Sequence, residues 1–297
     1  MKHILRDNAL EAWTMAILYC QDILNGKVTL KYRKNFVSSL HNAVELFMKQ
    51  LMLDKNDHRV CVIKGKCDAN GEPAKKYYNA LDLNSFFNKI TEKDRKKFYS
   101  IEYNALKDCS KELFQEFYSQ NVKSRQEVSD ALKLLGNLRN NETHFFIDKK
   151  EFLTDSEFQQ LHNFMNVFYI ILKYYYLLPF LGKAGGQYKR LEFCETDLKN
   201  FSYKKAIKES KFIKKLKEDL EGKELLTGGG NSAYAIADDI IDSLTDYKEE
   251  MFDEVWTYVE AALEYEILKY KDITVEVGED DMGSIYENYR KYYINIP

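Results

Sequence analysis

Apolar residues recur at helical spacing along most of this chain of 297 residues. The pattern predicts helices over residues 9–24, 32–53, 91–117, 124–138 and 154–178. Gly26 and Pro179 stand where helices are expected to end, and Thr91 stands at an expected helix start. Because only three prolines and thirteen glycines are spread over the chain, helix is the default elsewhere, and we expect an all-α fold.

The helical periodicity breaks in two places. Residues 60–63 form a short β-prone run and residues 68–71 carry a turn signal, which together predict a small hairpin-like insertion at about 54–80. After Gly182 the composition changes, and residues 184–186 indicate a linker. We therefore expect a helical domain over residues 1–183 and a helical accessory region of unknown role over residues 184–297.

Composition and charge limit the class of protein. Five cysteines, odd in number and widely spaced, argue against a disulfide framework. Charged residues interrupt every apolar stretch and no secretory leader is evident, so we expect a soluble, cytoplasmic protein without membrane contact. The net charge of -3 excludes a globally basic nucleic-acid coat. Eight lysines in residues 199–217 and an acidic run in 238–266 indicate either two solvated helix faces or a partner-guiding asymmetry.

The most distinctive chemical pattern is the stretch Arg139-Asn140-Asn141-Glu142-Thr143-His144. An imidazole with an ordinary pKa of about 6.5 can transfer protons near neutral pH. A guanidinium stays charged and can bind phosphate oxygens with two hydrogen bonds. RNA carries its own nucleophile, the 2′-hydroxyl, so this pair could cleave RNA without a metal or a cofactor.

Together with the helical setting and the apolar helix at about residues 36–53, this motif resembles that of the HEPN superfamily, helical domains named for higher eukaryotes and prokaryotes nucleotide-binding. Active members carry Arg-x4-6-His, often with Asn, Asp or His after the arginine, which Asn140 matches. Their second helix usually holds a polar residue, for which Glu45 is the match. The resemblance covers residues 1–183 and implies a HEPN-like helical bundle with Arg139, His144 and Asn140 as catalytic residues and Glu45 in support.

The resemblance also implies a function and partners. It points to a metal-independent endoribonuclease, a bacterial toxin or anti-phage abortive-infection effector, with RNA as substrate. Two protomers of a homodimer would face each other, so that His144 of one acts as base and its twin as acid. Since an unrestrained nuclease harms its host, an antitoxin or another regulatory protein is expected to control it.

Other interpretations remain open. His144 could cap a helix while Arg139 pairs with Glu142, and the protein would then be an inactive scaffold that binds RNA, nucleotide or protein. A structural adaptor using a face with Phe252, Trp256 and Val259 is a third class.

Further side-chain groups have two interpretations each. Glu45 and Lys49 form either a surface ion pair or part of a cleft. His58, Cys61 and Cys67 lack a fourth zinc ligand nearby, and we expect no metal. We expect His41 and His162 to be ordinary helix-face residues rather than ligands. We expect the tyrosines of 174–176 to pack in the core.

Overall fold

The computed structural model describes residues 5–63, 82–143, 151–179, 198–220, 226–227, 232–244, 247–280 and 283–295. The chain divides into two compact units. The first unit comprises Met1–Cys20 and Lys34–Lys199, and the second comprises Gln21–Arg33 and Asn200–Pro297. Most of the described residues are helical, and the remainder include small antiparallel sheets.

The helices that lie wholly or mainly in the first unit are α1 (Arg6–Leu24), α2 (Leu30–Asp54), α3 (Leu83–Lys89), α4 (Glu92–Arg95), α5 (Tyr103–Leu113), α6 (Gln115–Gln120), α7 (Ser124–Thr143) and α8 (Asp155–Tyr174). The predictions for residues 9–24, 32–53, 124–138 and 154–178 are thus confirmed as α1, α2, α7 and α8, except that α8 ends at Tyr174, several residues before the expected end at Pro179. Helix α8 starts with a reciprocal capping box, in which the Thr154 hydroxyl accepts from the Glu157 amide and the Glu157 carboxylate accepts from the Thr154 amide.

Aromatic side chains from α1, α2 and α8 form the core of the first unit. The rings of Trp13 and Phe168 lie 6.0 Å apart, and those of Phe36 and Phe158 lie 5.4 Å apart. All four side chains are almost completely buried. Burying a large side chain of this kind contributes about 1.5–3 kcal/mol each, so these three helices form a stable base for the residues that they carry.

The single helix predicted for residues 91–117 is wrong. Thr91 does cap a helix, as expected, but α4 ends after one turn, and strand β2 (Phe98–Ser100) separates it from α5. Phe98 packs against Phe86 and Phe87, with ring centroids 5.5 and 5.2 Å apart. The aromatic contacts therefore outweigh the helical preference of the flanking residues.

The β-prone run at residues 60–63 does form a strand, β1 (Cys61–Ile63). Its partner, however, is β2, which pairs antiparallel with Cys61 opposite Ser100. The partner strand thus lies outside the predicted insertion at 54–80. The turn signal at 68–71 lies outside the described residues.

The sequence predicted a helical region over residues 184–297, but the second unit also contains strands. It contains α9 (Tyr203–Glu209), α10 (Lys211–Leu220), α11 (Ala233–Ser243) and α12 (Phe252–Glu264), with strands β3 (Leu226–Thr227), β4 (Leu268–Asp280) and β5 (Gly283–Ile294). Strands β4 and β5 form a long antiparallel hairpin, and β3 pairs with the other edge of β5. β-Branched and aromatic residues such as Ile273 and Tyr289 face each other across this hairpin, which explains its stability as strand rather than helix.

Gly26 ends α1, as predicted, and adopts a left-handed backbone conformation with φ of +96°. A Cβ atom there would lie 3.0 Å from the backbone oxygen of Ala206 and 3.0 Å from the Cα of Ile207. Glycine is therefore required at this position for two reasons, its backbone angle and the close approach of α9. The expected linker at 184–186 lies outside the described residues.

Candidate functional site

Arg139 lies within α7, not behind it as the sequence suggested, because this helix continues to Thr143. Its side chain is half-buried, and that of the neighbouring Asn140 is exposed. The structure describes the backbone of Glu142 and Thr143 but not their side chains. His144, the second half of the predicted pair, lies outside the described residues.

Arg139 lines a cavity of about 920 Å³ within the first unit, here called the α1–α2–α7 cavity. The described residues that line it are Asn8, Glu11, Ala12 and Met15 from α1, Ser38, Ser39, His41, Asn42, Glu45 and Leu46 from α2, and Arg139 from α7. The structure thus brings two of the predicted site residues, Arg139 and Glu45, to one cavity. Asn140 is not among the described residues that line it.

Glu45 is held by a pair of interactions along its own helix. The ammonium of Lys49 donates a short hydrogen bond to its carboxylate, and the same ammonium donates to the Ser100 hydroxyl at 2.9 Å. Lys49 is buried and Glu45 is half-buried. An ion pair with one buried member is not a surface pair, and it fixes the carboxylate on the cavity wall.

His41 is the residue of this site that sequence reasoning missed, because it was assigned to an ordinary helix face. Its Nδ1 atom lies 3.7 Å from the Glu45 Oε2 atom. Burial above all, together with the cations Arg139 and Lys49, lowers the pKa of His41 to about 4, against the opposing effect of Glu45. The imidazole is therefore neutral near pH 7. The available signal was spacing, since His41, Glu45 and Lys49 follow one another at intervals of four and share a helix face.

Tyr103 of α5 forms one side of the His41 environment. The two ring centroids are 4.1 Å apart at an interplanar angle of 32°. The Tyr103 hydroxyl donates to the carbonyl oxygen of Leu132 at 3.0 Å, and burial raises the pKa of this phenol. A Cβ atom on Gly136 would lie 3.1 Å from the Tyr103 ring. The small residue at 136 thus lets α7 approach the tyrosine that supports His41.

The possible zinc ligands His58, Cys61 and Cys67 form no site that the structure describes. Among the described residues no group of three or more histidine, cysteine, aspartate and glutamate side chains is placed to hold a metal ion. The Cys61 thiol lies 3.8 Å from the carbonyl oxygen of His58, and Cys67 lies outside the described residues.

The side chains that the sequence predicted to be packed differ in their burial. His162 is fully buried, as is Val259, whereas Trp256 of the proposed adaptor face is 39% exposed. Tyr174 and Tyr175 are half-buried and pack against Phe117 and Phe114, and Tyr176 is exposed, so none of the three lies in the buried core as predicted.

The structure is that of a mainly helical protein with a cavity whose wall combines a guanidinium, an imidazole, two carboxylates, two hydroxyls and two amides with three apolar side chains. No family model, no curated protein and no solved structure matches this chain. Within the part of the chain that the structure describes, no helix is long and apolar enough to cross a membrane.

Proposed function

We propose that this protein is a metal-independent endoribonuclease of the HEPN type. The observation that supports this function best is that Arg139, the first residue of the Arg-x4-His motif, lines the same cavity as Glu45, the polar residue of the second helix. The proposal assigns Arg139, His144 and Asn140 to the reaction and Glu45 to their support. No cofactor or metal takes part in it.

Cleavage requires three catalytic groups from the protein. A base removes the proton of the 2′-hydroxyl, a cation stabilises the charge that grows on the phosphorane, and an acid protonates the departing 5′-oxygen. Arg139 is suited to stabilise the phosphorane charge, because a guanidinium can bind two phosphate oxygens at once. Losing such a stabilising donor typically costs about 3 kcal/mol of transition-state stabilisation. His144 suits proton transfer, and proton transfer by a positioned side chain contributes ~10²–10⁴ in rate.

Glu45 acts by its charge and its fixed position. The Lys49 ammonium binds both the Glu45 carboxylate and the Ser100 hydroxyl, which restrains the negative charge at the cavity wall. A fixed carboxylate orients neighbouring donors such as a guanidinium or an imidazole, and this is the supporting role that we assign to Glu45.

The biological setting belongs to the same proposal. The substrate is RNA, and the protein works in the cytoplasm as a homodimer that brings two copies of the motif to a shared cleft. We propose that it is a bacterial toxin or abortive-infection effector. An antitoxin or another regulatory protein then keeps it inactive until it is needed.

The test is cleavage of total RNA by the purified protein in EDTA. We expect cleavage by the wild type, none by His144→Ala, and at least a 10²-fold loss in Arg139→Ala. Arg125→Ala is a matched control, because Arg125 is an exposed arginine of the same helix that does not line the cavity. Equal cleavage by wild type and His144→Ala would show that the site is wrong. No cleavage by the wild type would favour a scaffold that binds RNA, nucleotide or protein.

A further inference from the structure

We infer that one face of the β4–β5 hairpin in the second unit binds single-stranded RNA, with lysines that hold the phosphates and tyrosines on which the bases stack. This face, here called the hairpin platform, consists of Lys269 and Lys271 of β4 and Tyr289, Lys291 and Tyr293 of β5. The choice of RNA as the ligand rests on the proposed function. The hairpin platform gives the protein a second contact with RNA besides the α1–α2–α7 cavity.

The register of the hairpin places these five side chains together. Lys269 lies opposite Tyr293. Two residues further along β4, Lys271 lies opposite Lys291, and Tyr289 is two residues before Lys291 on β5. Because side chains alternate between the faces of a strand and opposite residues share a face, all five project from one side of the sheet. Successive side chains on that side are about 7 Å apart.

This side of the hairpin faces solvent. Tyr293 is 42% exposed, Lys271 is exposed, and the other three members of the hairpin platform are half-buried. The opposite side is packed at the same level, because Leu268 and Tyr292 are almost completely buried, and α12 and α10 contact β4 and β5. Within the part of the chain that the structure describes, the hairpin platform is therefore accessible to a ligand.

Lys271 and Lys291 form a like-charge pair that the fold alone does not explain. Two positive charges directly opposite each other on one face of a sheet repel and destabilise it. Lysines on an outer strand often prevent pairing with other chains, which accounts for Lys271 on β4. It does not account for Lys291, because β5 lies between β3 and β4. A phosphate group bound between the two ammonium groups replaces this repulsion with attraction.

The two tyrosines provide surfaces for bases. Single-stranded RNA is recognised through unstacked bases that stack on aromatic side chains, while basic groups bind its phosphates. Tyr289 and Tyr293 lie on either side of Lys291 along β5, so an RNA segment with a base on each ring passes its phosphates over the lysine pair. The Tyr289 hydroxyl donates a short hydrogen bond to Glu287, which restrains that ring. Because every base can stack, we expect binding with little sequence preference.

The test is the binding of a labelled single-stranded 2′-O-methyl RNA to the full-length protein, followed by fluorescence anisotropy. This RNA lacks the 2′-hydroxyl, so the proposed reaction cannot cleave it. We expect Tyr293→Ala to weaken binding roughly 5- to 150-fold, the range for the loss of one stacked base, and Tyr293→Phe to retain it. Tyr270→Ala is the matched control, because Tyr270 is also 42% exposed but lies on the other side of the hairpin.

The lysine pair is tested by salt dependence and stability together. Each phosphate contact of a single strand contributes about −0.7 to the slope of log K against log salt, and Lys271→Gln should remove one such contribution. The same variant should unfold at the same or a higher urea concentration than the wild type, because the like-charge repulsion is gone. Lys248→Gln, at an exposed lysine outside the hairpin, should leave the slope unchanged. A Lys271→Gln protein that unfolds at lower urea would show that this lysine is structural and would overturn its role.

RNA binding that is unchanged in Tyr293→Ala and Lys271→Gln, or a wild-type protein that does not bind this RNA, would overturn the inference alone, because cleavage is measured separately with unmodified RNA. Displacement of the RNA by polyglutamate at the same concentration of negative charge would also overturn it, in favour of an acidic protein as the partner. Failure of the proposed function gives a different result. Unmodified RNA would then stay intact, while the 2′-O-methyl RNA would still bind to the hairpin platform.

Discussion

Helix α2 carries buried charges in both units, and their surroundings differ. Near its start, Arg33 of the second unit is completely buried, 3.2 Å from Glu264 and 5.5 Å from the centre of the Tyr203 ring. Further along, in the first unit, Lys49 pairs with Glu45 beside a cavity. The guanidinium of the first pair is enclosed by protein, whereas the carboxylate of the second lines a cavity that a ligand can enter.

These two ion pairs serve different purposes. An enclosed pair offers little to a ligand, and its main effect is on stability, because removing one partner leaves a charge without compensation. A pair at a cavity wall fixes a charge where a substrate can meet it. Substitutions in the two places should therefore change different measurements.

The largest expected effect is on stability. Arg33→Ala leaves Glu264 without its guanidinium and opens space beside Tyr203, and we expect a loss of about 3–5 kcal/mol in the free energy of unfolding. Urea unfolding measures it, with the exposed Arg125→Ala as the control that should change little. A loss below about 1 kcal/mol would place Arg33 among ordinary surface pairs.

The next effect is on activity without stability. Arg139→Lys keeps the positive charge of the cavity wall but cannot hold two phosphate oxygens with the same geometry. We expect RNA cleavage to fall about 10²-fold, with unfolding changed by less than about 0.5 kcal/mol. Unchanged cleavage would mean that the side chain supplies only charge.

A third prediction concerns pH. Burial lowers the pKa of His41 and of His162 to about 4, from an ordinary value of 6.5. The unfolded chain therefore binds these protons more tightly, and the stability from the neutral rings is complete above pH 6.5 and lost as pH falls towards 4.

The slope in that window should be up to about 1.4 kcal/mol per pH unit for each histidine. Urea unfolding at pH 7, 6 and 5 measures it. His41→Gln and His162→Gln should each remove one part of the slope. A slope that survives in the double variant would come from other groups, such as the remaining histidines or carboxylates, and would contradict this assignment.

The smallest effects compare two glycines. Gly26→Ala forces a left-handed backbone angle and a contact with the backbone of α9, so we expect a loss of about 2 kcal/mol in unfolding free energy. Gly136→Ala meets only the ring of Tyr103, and its effect on stability should stay below about 1 kcal/mol. Because that ring supports His41, cleavage should fall in Gly136→Ala more than its stability suggests. Thermal unfolding and RNA cleavage of both variants check this contrast.

The sequence predicted the long helices well because their signals are local. The apolar spacing of α1, α2 and α8 and the helix-ending signal of Gly26 can each be read from a short stretch of sequence. Strand β2 and the β4–β5 hairpin were missed, since their strands are decided by distant partners. The alternation of Ile273 and Val275 with polar residues was the available signal for β4.

The residues of the candidate site also differ in whether a local pattern could identify them. Arg139 and Glu45 could be selected by motif, and they do line one cavity. The spacing of His41 and Glu45 placed both on one helix face, but it did not distinguish His41 from an ordinary helix-face residue, because that depends on contacts from other helices such as Tyr103 of α5. Whether a helix-face histidine is ordinary or reactive is decided by tertiary contacts such as those with Tyr103 and Glu45.

Ser100 connects the cavity wall to a part of the chain that does not line it. Its hydroxyl accepts from Lys49, and it is paired in register with Cys61 of β1, the strand that leads into residues 64–81. A displacement of β2 would therefore weaken a restraint on Lys49 and, through Lys49, on the Glu45 carboxylate. The backbone pairing of two short strands is thus one of the constraints on a charge at the cavity wall.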